Sequence, residues 1–314
     1  MKKFIKMLMV VIISLTILTG CETKNDSKLS IVATNYPCYD FARAVVGNID
    51  DISLKMLLKP GSEMHDYDPT PQDIIAIKKS DIFIYVGGES DTWIEDILSD
   101  IDTSKTKVIK LMDYVNLKEE EIVDGMESDE EEEEEEEEVE YDEHVWTSPV
   151  NAITIVGKIK DEVKLLDSEN ESIYEENASN YISKLNAIND SFRSIVNSAN
   201  NKTLVFGDRF PLRYFVDEYG LSYYAAFPGC SEQTEASAKT ISFLINKVKE
   251  EKVKVVFHIE LSNGKIAKTI ADETGAKVLE FHSAHNISQS DFDAGVTYVD
   301  IMNKNINVLK EALK

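Results

Sequence analysis

The chain has 314 residues, enough for two domains with their own cores, and 43% of them are hydrophobic, which fits a folded globular protein rather than a disordered one. Its formal net charge of −25 is mostly local: residues 119–143 hold 18 Asp and Glu and no Lys or Arg, so the remainder carries only −7. No basic patch is present, which excludes nucleic acid as a partner.

Residues 1–21 read as an export signal. Lys2, Lys3 and Lys6 precede an apolar run at 7–18 that is too short to span a bilayer comfortably. Leu18-Thr19-Gly20-Cys21 resembles the bacterial lipobox. That implies cleavage before Cys21, a lipid on its thiol, and anchoring to the outer face of the cell membrane. Residues 22–28 form a polar tether. Cys38 and Cys230 then remain, either as one disulfide, which an oxidising compartment permits, or as two free thiols, one of which could lie near a metal.

From residue 29 the pattern alternates. Strands are predicted at 29–34, 52–58, 81–86 and 107–111, with helices at 39–46, from Pro71, and at 93–98. Residues 118–143, with nine consecutive glutamates at 130–138, repel one another and are expected to form a structureless loop. Ser148 can cap and Pro149 can open the next helix. A longer helix at 171–198, about 40 Å at 1.5 Å per residue, has no Gly or Pro to interrupt it. A second series follows, with strands at 203–206, 223–227, 253–259 and 277–281. Its helices fall at 212–219, 237–250, 265–274 and 292–313. The reading is an α/β protein of two similar lobes (29–168 and 201–314) with mostly parallel sheets. One long rigid linker helix (169–200) joins them, and a site lies in the cleft between.

The chain has five histidines: His65, His144, His258, His282 and His285. His65, Asp208, Glu260 and His282 each fall just past the carboxyl end of a predicted strand, the edge where parallel sheets bind ligands. His144 sits on a loop leading into a helix. Imidazoles with a carboxylate suit Zn²⁺ best and Mn²⁺ or Fe²⁺ less well. Each has a plainer reading. His65 alone fits a surface or capping residue, Asp208 can pair with Arg209, Glu260 can cap the loop before Asn263-Gly264, and His258 lies inside a strand as a structural residue. No His-Glu-x-x-His spacing is present. The glutamate run reads as a solubilising loop or as an unselective cation collector.

Taken together, Pro60-Gly61-Ser62-Glu63-Met64-His65-Asp66-Tyr67-Asp68-Pro69-Thr70-Pro71, Gly87-Gly88 with Trp93, His144-Val145-Trp146 with Pro149, and Tyr174, Asn177 and Tyr181 resemble the zinc- and manganese-binding lipoproteins of ABC importers. The resemblance covers about residues 29–313. It implies a metal held between two lobes by His65 and His144, a third ligand near Asp208, and a fourth where His282 stands with His285 close by. It also implies a membrane permease as recipient. The expectation is a non-enzymatic, monomeric Zn²⁺ receptor using His65, His144 and His282, with Asp208 or a water completing the site. A Mn²⁺ receptor, a surface adhesin on the same fold, and a zinc hydrolase with Glu260 as general base are the rivals.

Overall fold

The computed structural model describes residues 28–64, 67–127, 140–231, 233 and 235–314. The export signal, Cys21, His65 and the glutamates at 130–138 lie outside the described residues.

The first lobe contains β1 (Leu29–Ala33), α1 (Tyr36–Val46), β2 (Ile52–Met56), α2 (Pro71–Lys79), β3 (Ile82–Tyr85), α3 (Thr92–Leu98), β4 (Lys107–Lys110) and α4 (Pro149–Leu166). The long helix α5 is Glu171–Ser198. The second lobe contains β5 (Thr203–Phe210), α6 (Arg213–Tyr219), β6 (Ser222–Pro228), α7 (Ala238–Glu250), β7 (Val255–His258), α8 (Lys265–Thr274), β8 (Lys277–Glu280), α9 (Gln289–Asp293) and α10 (Tyr298–Ala312). The sheets run β2-β1-β3-β4 and β6-β5-β7-β8, and every strand pair is parallel. Counting from the first strand of each lobe, the order is the same.

Side-chain alternation explains the layering. In β1, β3, β5 and β7 the residues Ile31, Ile84, Phe206 and Phe257 enter one central cluster that runs through both lobes. Their neighbours Val32 and Phe83 face an outer cluster in the first lobe, and Val205 and Val256 face one in the second. Helix α5 adds its stripe Tyr174, Ala178, Tyr181, Leu185, Ile188, Phe192 and Val196, all buried at three- and four-residue spacing. Tyr181 Oη donates to Asp40 of α1 at 2.8 Å, while Phe192 packs edge-on against Phe215 of α6. One helix therefore serves both lobes. No helix of the described residues is long and apolar enough to cross a membrane.

The structure corrects several boundaries. Helix α1 starts at Tyr36, not at 39, because the Asn35 side chain caps it by accepting from the Cys38 amide, with Pro37 in the first turn. The closing helix is two helices: Gly295 takes φ 71° between them and Thr297 restarts the chain with a capping box to Asp300. Strand β5 runs on to Phe210, with a register shift between Phe206 and Arg209, so Asp208 lies inside the strand at an irregularity rather than beyond its end. The described arms of the expected structureless loop are ordered. Glu119 and Tyr141 form an antiparallel bridge, and the Asp142 amide donates to Lys118 O at 2.9 Å. Cys38 and Cys230 are both free thiols.

Candidate metal centre

His144 sits between the paired arms and α4. Its backbone is held at both ends. Its amide donates to Asp142 Oδ1 at 2.8 Å, and its carbonyl accepts from Thr147 Oγ1 at 2.8 Å. The loop is fixed to the second lobe by Tyr214 Oη, which donates to Asp142 O at 2.7 Å. Trp146 Nε1 then donates to Ser283 O at 3.0 Å, and Tyr298 Oη donates to Trp146 O at 2.7 Å.

The imidazole of His144 is fully buried. Its Nδ1 lies 3.3 Å from Asp142 Oδ1. A carboxylate accepts, so the neutral ring carries its proton on Nδ1 and presents the lone pair of Nε2. This is the outer-partner arrangement common to metal-binding histidines. Burial alone pulls the ring pKa down, but Asp142, Glu143 and Glu120 outweigh it and leave the pKa above the ordinary value.

His285 faces it. The two rings are 5.2 Å apart and nearly perpendicular, and Trp146 lies 5.3 Å from His285. Glu143, buried against the segment that follows β3, accepts from Ser90 Oγ at 2.6 Å and Ser90 N at 3.0 Å. A side chain at Gly88 would place its Cβ 2.7 Å from Glu143 Cβ, so glycine with φ 88° is what lets this carboxylate in. Glu143, His144 and His285 each offer a ligand atom within 4.8 Å of the others, and they are the only such metal-capable group among the described residues. Glu120 and Cys230 border the same space. The Gly229 amide donates to Glu120 Oε1 at 3.1 Å, and burial with the carboxylates Glu143, Glu120 and Asp142 pushes the Cys230 thiol up. A Cβ at Gly229 would come within 3.1 Å of His144 Cε1, so the β6 loop closes directly on the ring.

The other expected ligands are placed differently. His282 Nδ1 accepts from the Ala284 amide at 3.0 Å and lies 3.4 Å from Glu260 Oε2. Its lone pair is taken by the backbone, and it is outside the buried group. Asp208 accepts from the Arg209 amide at 2.9 Å and the Ile259 amide at 3.3 Å, and burial raises its pKa. It pins the irregular end of β5. Arg209 itself pairs with Glu63 at 2.7 Å, not with Asp208. Glu260 accepts from Ser283 N, Ser283 Oγ and His285 N at 2.6, 2.6 and 3.0 Å. A carboxylate so bound shapes the 282–287 loop and is not poised as a general base. His258 Nδ1 lies 2.9 Å from Ile259 O, outside this group.

The sequence left His282 and His285 open as sharing one ion or as one ligand and one neighbour, favoured His282, and did not single out Glu143 or Asp142. The Asp-Glu-His run was the signal for the latter two, since it places two carboxylates beside the histidine.

Two parallel-sheet lobes are bridged by one helix, with the buried imidazoles between them. The chain belongs to the family described as "Zinc-uptake complex component A periplasmic", whose model matches residues 31–312. It is 33% identical over 297 residues to the high-affinity zinc uptake system protein ZnuA of Bacillus subtilis, covering 94% of this chain and 90% of that protein. It is 31% identical over 299 residues to the zinc-binding lipoprotein AdcA of Streptococcus pneumoniae, covering 94% of this chain but only 58% of that longer protein. The crystal structure of the Zn(II)-bound ZnuA-like domain of S. pneumoniae AdcA superposes with a TM-score of 0.74 at 29% identity, covering 91% of this chain and 98% of that domain.

Proposed function

We propose that this protein is an extracytoplasmic receptor, lipid-anchored through Cys21, that captures Zn²⁺ between its lobes and delivers it to an ABC importer permease. The observation that carries the reading is the buried group of His144, His285 and Glu143. His144 is the central ligand and His285 the second-lobe ligand. His65, next to Met64 in the sequence, supplies a further imidazole. Glu143 supplies the carboxylate, Asp142 holds the amide and ring of His144, and Glu260 holds the amide of His285, while Asp208 braces the end of β5 and His282 the loop before His285. Imidazole-rich sets favour Zn²⁺ over Mn²⁺. The acidic surroundings, Glu120, Asp142 and Glu143, favour cation entry.

The test is thermal unfolding of chelator-stripped protein with Zn²⁺, Mn²⁺, Ca²⁺ or no metal, beside His144→Ala. Zn²⁺ at 100 times its dissociation constant adds about 2.7 kcal/mol to the native state, a shift of several degrees that His144→Ala abolishes. A larger shift with Mn²⁺ would reassign the cargo. No shift with any metal would overturn capture.

A further inference from the structure

Met64 is buried at the end of the loop that leads to the expected ligand His65, and its sulfur has two nitrogen neighbours. Asn35 Nδ2 approaches Sδ at 3.3 Å, and His285 Nε2 approaches it at 3.0 Å. We propose that Met64 is a positioning residue for His285: its thioether accepts the Nε2 proton, so that His285 offers Nδ1 to the metal while His144 offers Nε2. The inference rests on the reading of His285 as a ligand and deepens it.

The chemistry is one-directional. A thioether has lone pairs and no proton, so a hydrogen bond between these atoms requires Nε2 to be the donor. A neutral imidazole has a single N–H, and its lone pair is then on Nδ1. The sulfur is itself held in place. Asn35 is fully buried, and its Oδ1 accepts from the Cys38 amide at 3.3 Å as the cap of α1. That bond fixes which end of the amide is oxygen and directs Nδ2 at the sulfur. The loop around Met64 is tied to the His285 loop by three further bonds: Gly61 N to Ile287 O at 2.7 Å, and Asn286 Nδ2 to Lys59 O at 2.9 Å and to Ser62 O at 2.7 Å. The sulfur therefore cannot drift from the ring without breaking the seam between the lobes.

The role of partner suits the sulfur better than the role of ligand. Zinc takes thiolate, imidazole and carboxylate donors, and a thioether is not among them. Outer partners of metal-bound histidines are usually carboxylates, carbonyls or water. A sulfur in that place is a weaker, softer acceptor, so His285 is oriented by Met64 but made less basic than His144 is by Asp142. The two rings thus differ both in the nitrogen presented and in the strength of the partner behind it.

The experiment uses the full ¹⁵N-labelled chain loaded with ¹¹³Cd²⁺ as the probe, with metal–nitrogen couplings read in long-range proton–nitrogen spectra. His285 signals are assigned by their loss in His285→Asn. The expected result is coupling to Nδ1 of His285, with Nε2 protonated, and to Nε2 of His144. Coupling to Nε2 of His285 would overturn the inference and leave the ligand set standing. No coupling at His285, with coupling retained at His144, would overturn both. In parallel, Met64→Leu, which keeps volume and apolarity, weakens Zn²⁺ binding about 10-fold or more, the usual cost of losing an outer partner. Met64→Gln, whose amide oxygen can accept the same proton, recovers most of the loss. Wild-type affinity in Met64→Leu would contradict the positioning role.

Discussion

Two regions of this protein carry the same residue types at the carboxyl edge of a sheet. In one, His144 stands with Asp142 and Glu143. In the other, His282 stands with Glu260 and Asp208. The second region satisfies itself through the backbone: Glu260 receives Ser283 and His285 amides, Asp208 receives Arg209 and Ile259 amides, and His282 Nδ1 receives the Ala284 amide. In the first region Asp142 takes Nδ1 of His144, so the neutral ring presents Nε2 towards the space shared with His285. Proximity of imidazole and carboxylate does not distinguish a site from a scaffold. What distinguishes them is whether backbone amides or another ligand face the lone pairs.

The comparison breaks most visibly by removing the histidines. His144→Ala and His285→Ala should each weaken Zn²⁺ binding by more than the roughly 10–100-fold that loss of an outer partner costs, measured by competition with a chelating dye. His282→Ala should stay within a few-fold of wild type. Equal losses in His282→Ala and His144→Ala would erase the distinction between site and scaffold. Glu260→Ala acts through folding. It leaves the buried amide of Ser283 without its Glu260 acceptor and the His285 amide with Ser283 Oγ at 3.2 Å in its place, and should cost about 1–3 kcal/mol in urea unfolding. Its zinc affinity falls only as far as the His285 loop loosens.

Smaller effects sharpen the contrast. Asp142→Asn should weaken Zn²⁺ binding about 10-fold and flatten its pH dependence. Asp142, with Glu143 and Glu120, holds the His144 pKa above 6.5 against the opposing pull of burial. Protons therefore compete with the metal from a higher pH in wild type, and binding weakens as pH falls through that raised value. In the variant the fall should begin at lower pH, and an unchanged profile in isothermal titration would remove Asp142 from this role. The smallest expected change is in Asp91→Asn. Burial raises the Asp91 carboxyl to about 7, and its Oδ2 alone accepts the amides of Val86 and Gly87. A raised acid pKa means the folded state favours the proton, so this group's contribution is most favourable below the unfolded value and is lost as pH rises towards 7. Asparagine keeps both bonds through its oxygen. The variant should match or exceed wild-type melting temperature at pH 8 and lose that margin at pH 5. A large loss at pH 8 would contradict this account.

Much of the architecture was legible in the sequence. Short apolar runs alternating with helical segments gave the strands, and the uninterrupted stripe from Tyr174 to Val196 gave the long helix. His144 was legible because Ser148 and Pro149 mark the helix start after it. It was not legible that His285, rather than His282, comes close to His144 and Glu143. That depends on the path of a loop shaped by Glu260 from another strand. The role of Met64 was hidden for the same reason: its partner is 221 residues away. The ordering of the arms around 118–127 and 140–143 was missed because charge repulsion within the segment was weighed without its contacts elsewhere. Glu127 N reaches Ala226 O at 3.0 Å, and Lys118 pairs with Asp217 at 2.9 Å in the second lobe.

The central cluster has a consequence for folding. Helix α5 contributes to it along its whole length, and the turn before α10 crosses back to α1, where Tyr36 Oη donates to Val296 O at 2.9 Å and Asp40 accepts the Tyr298 amide at 2.8 Å. Neither lobe owns a complete interior. Cutting the chain between them would expose half of one shared core on each piece. The molecule should therefore melt in a single calorimetric transition, with the two lobes as one cooperative unit despite their repeated topology.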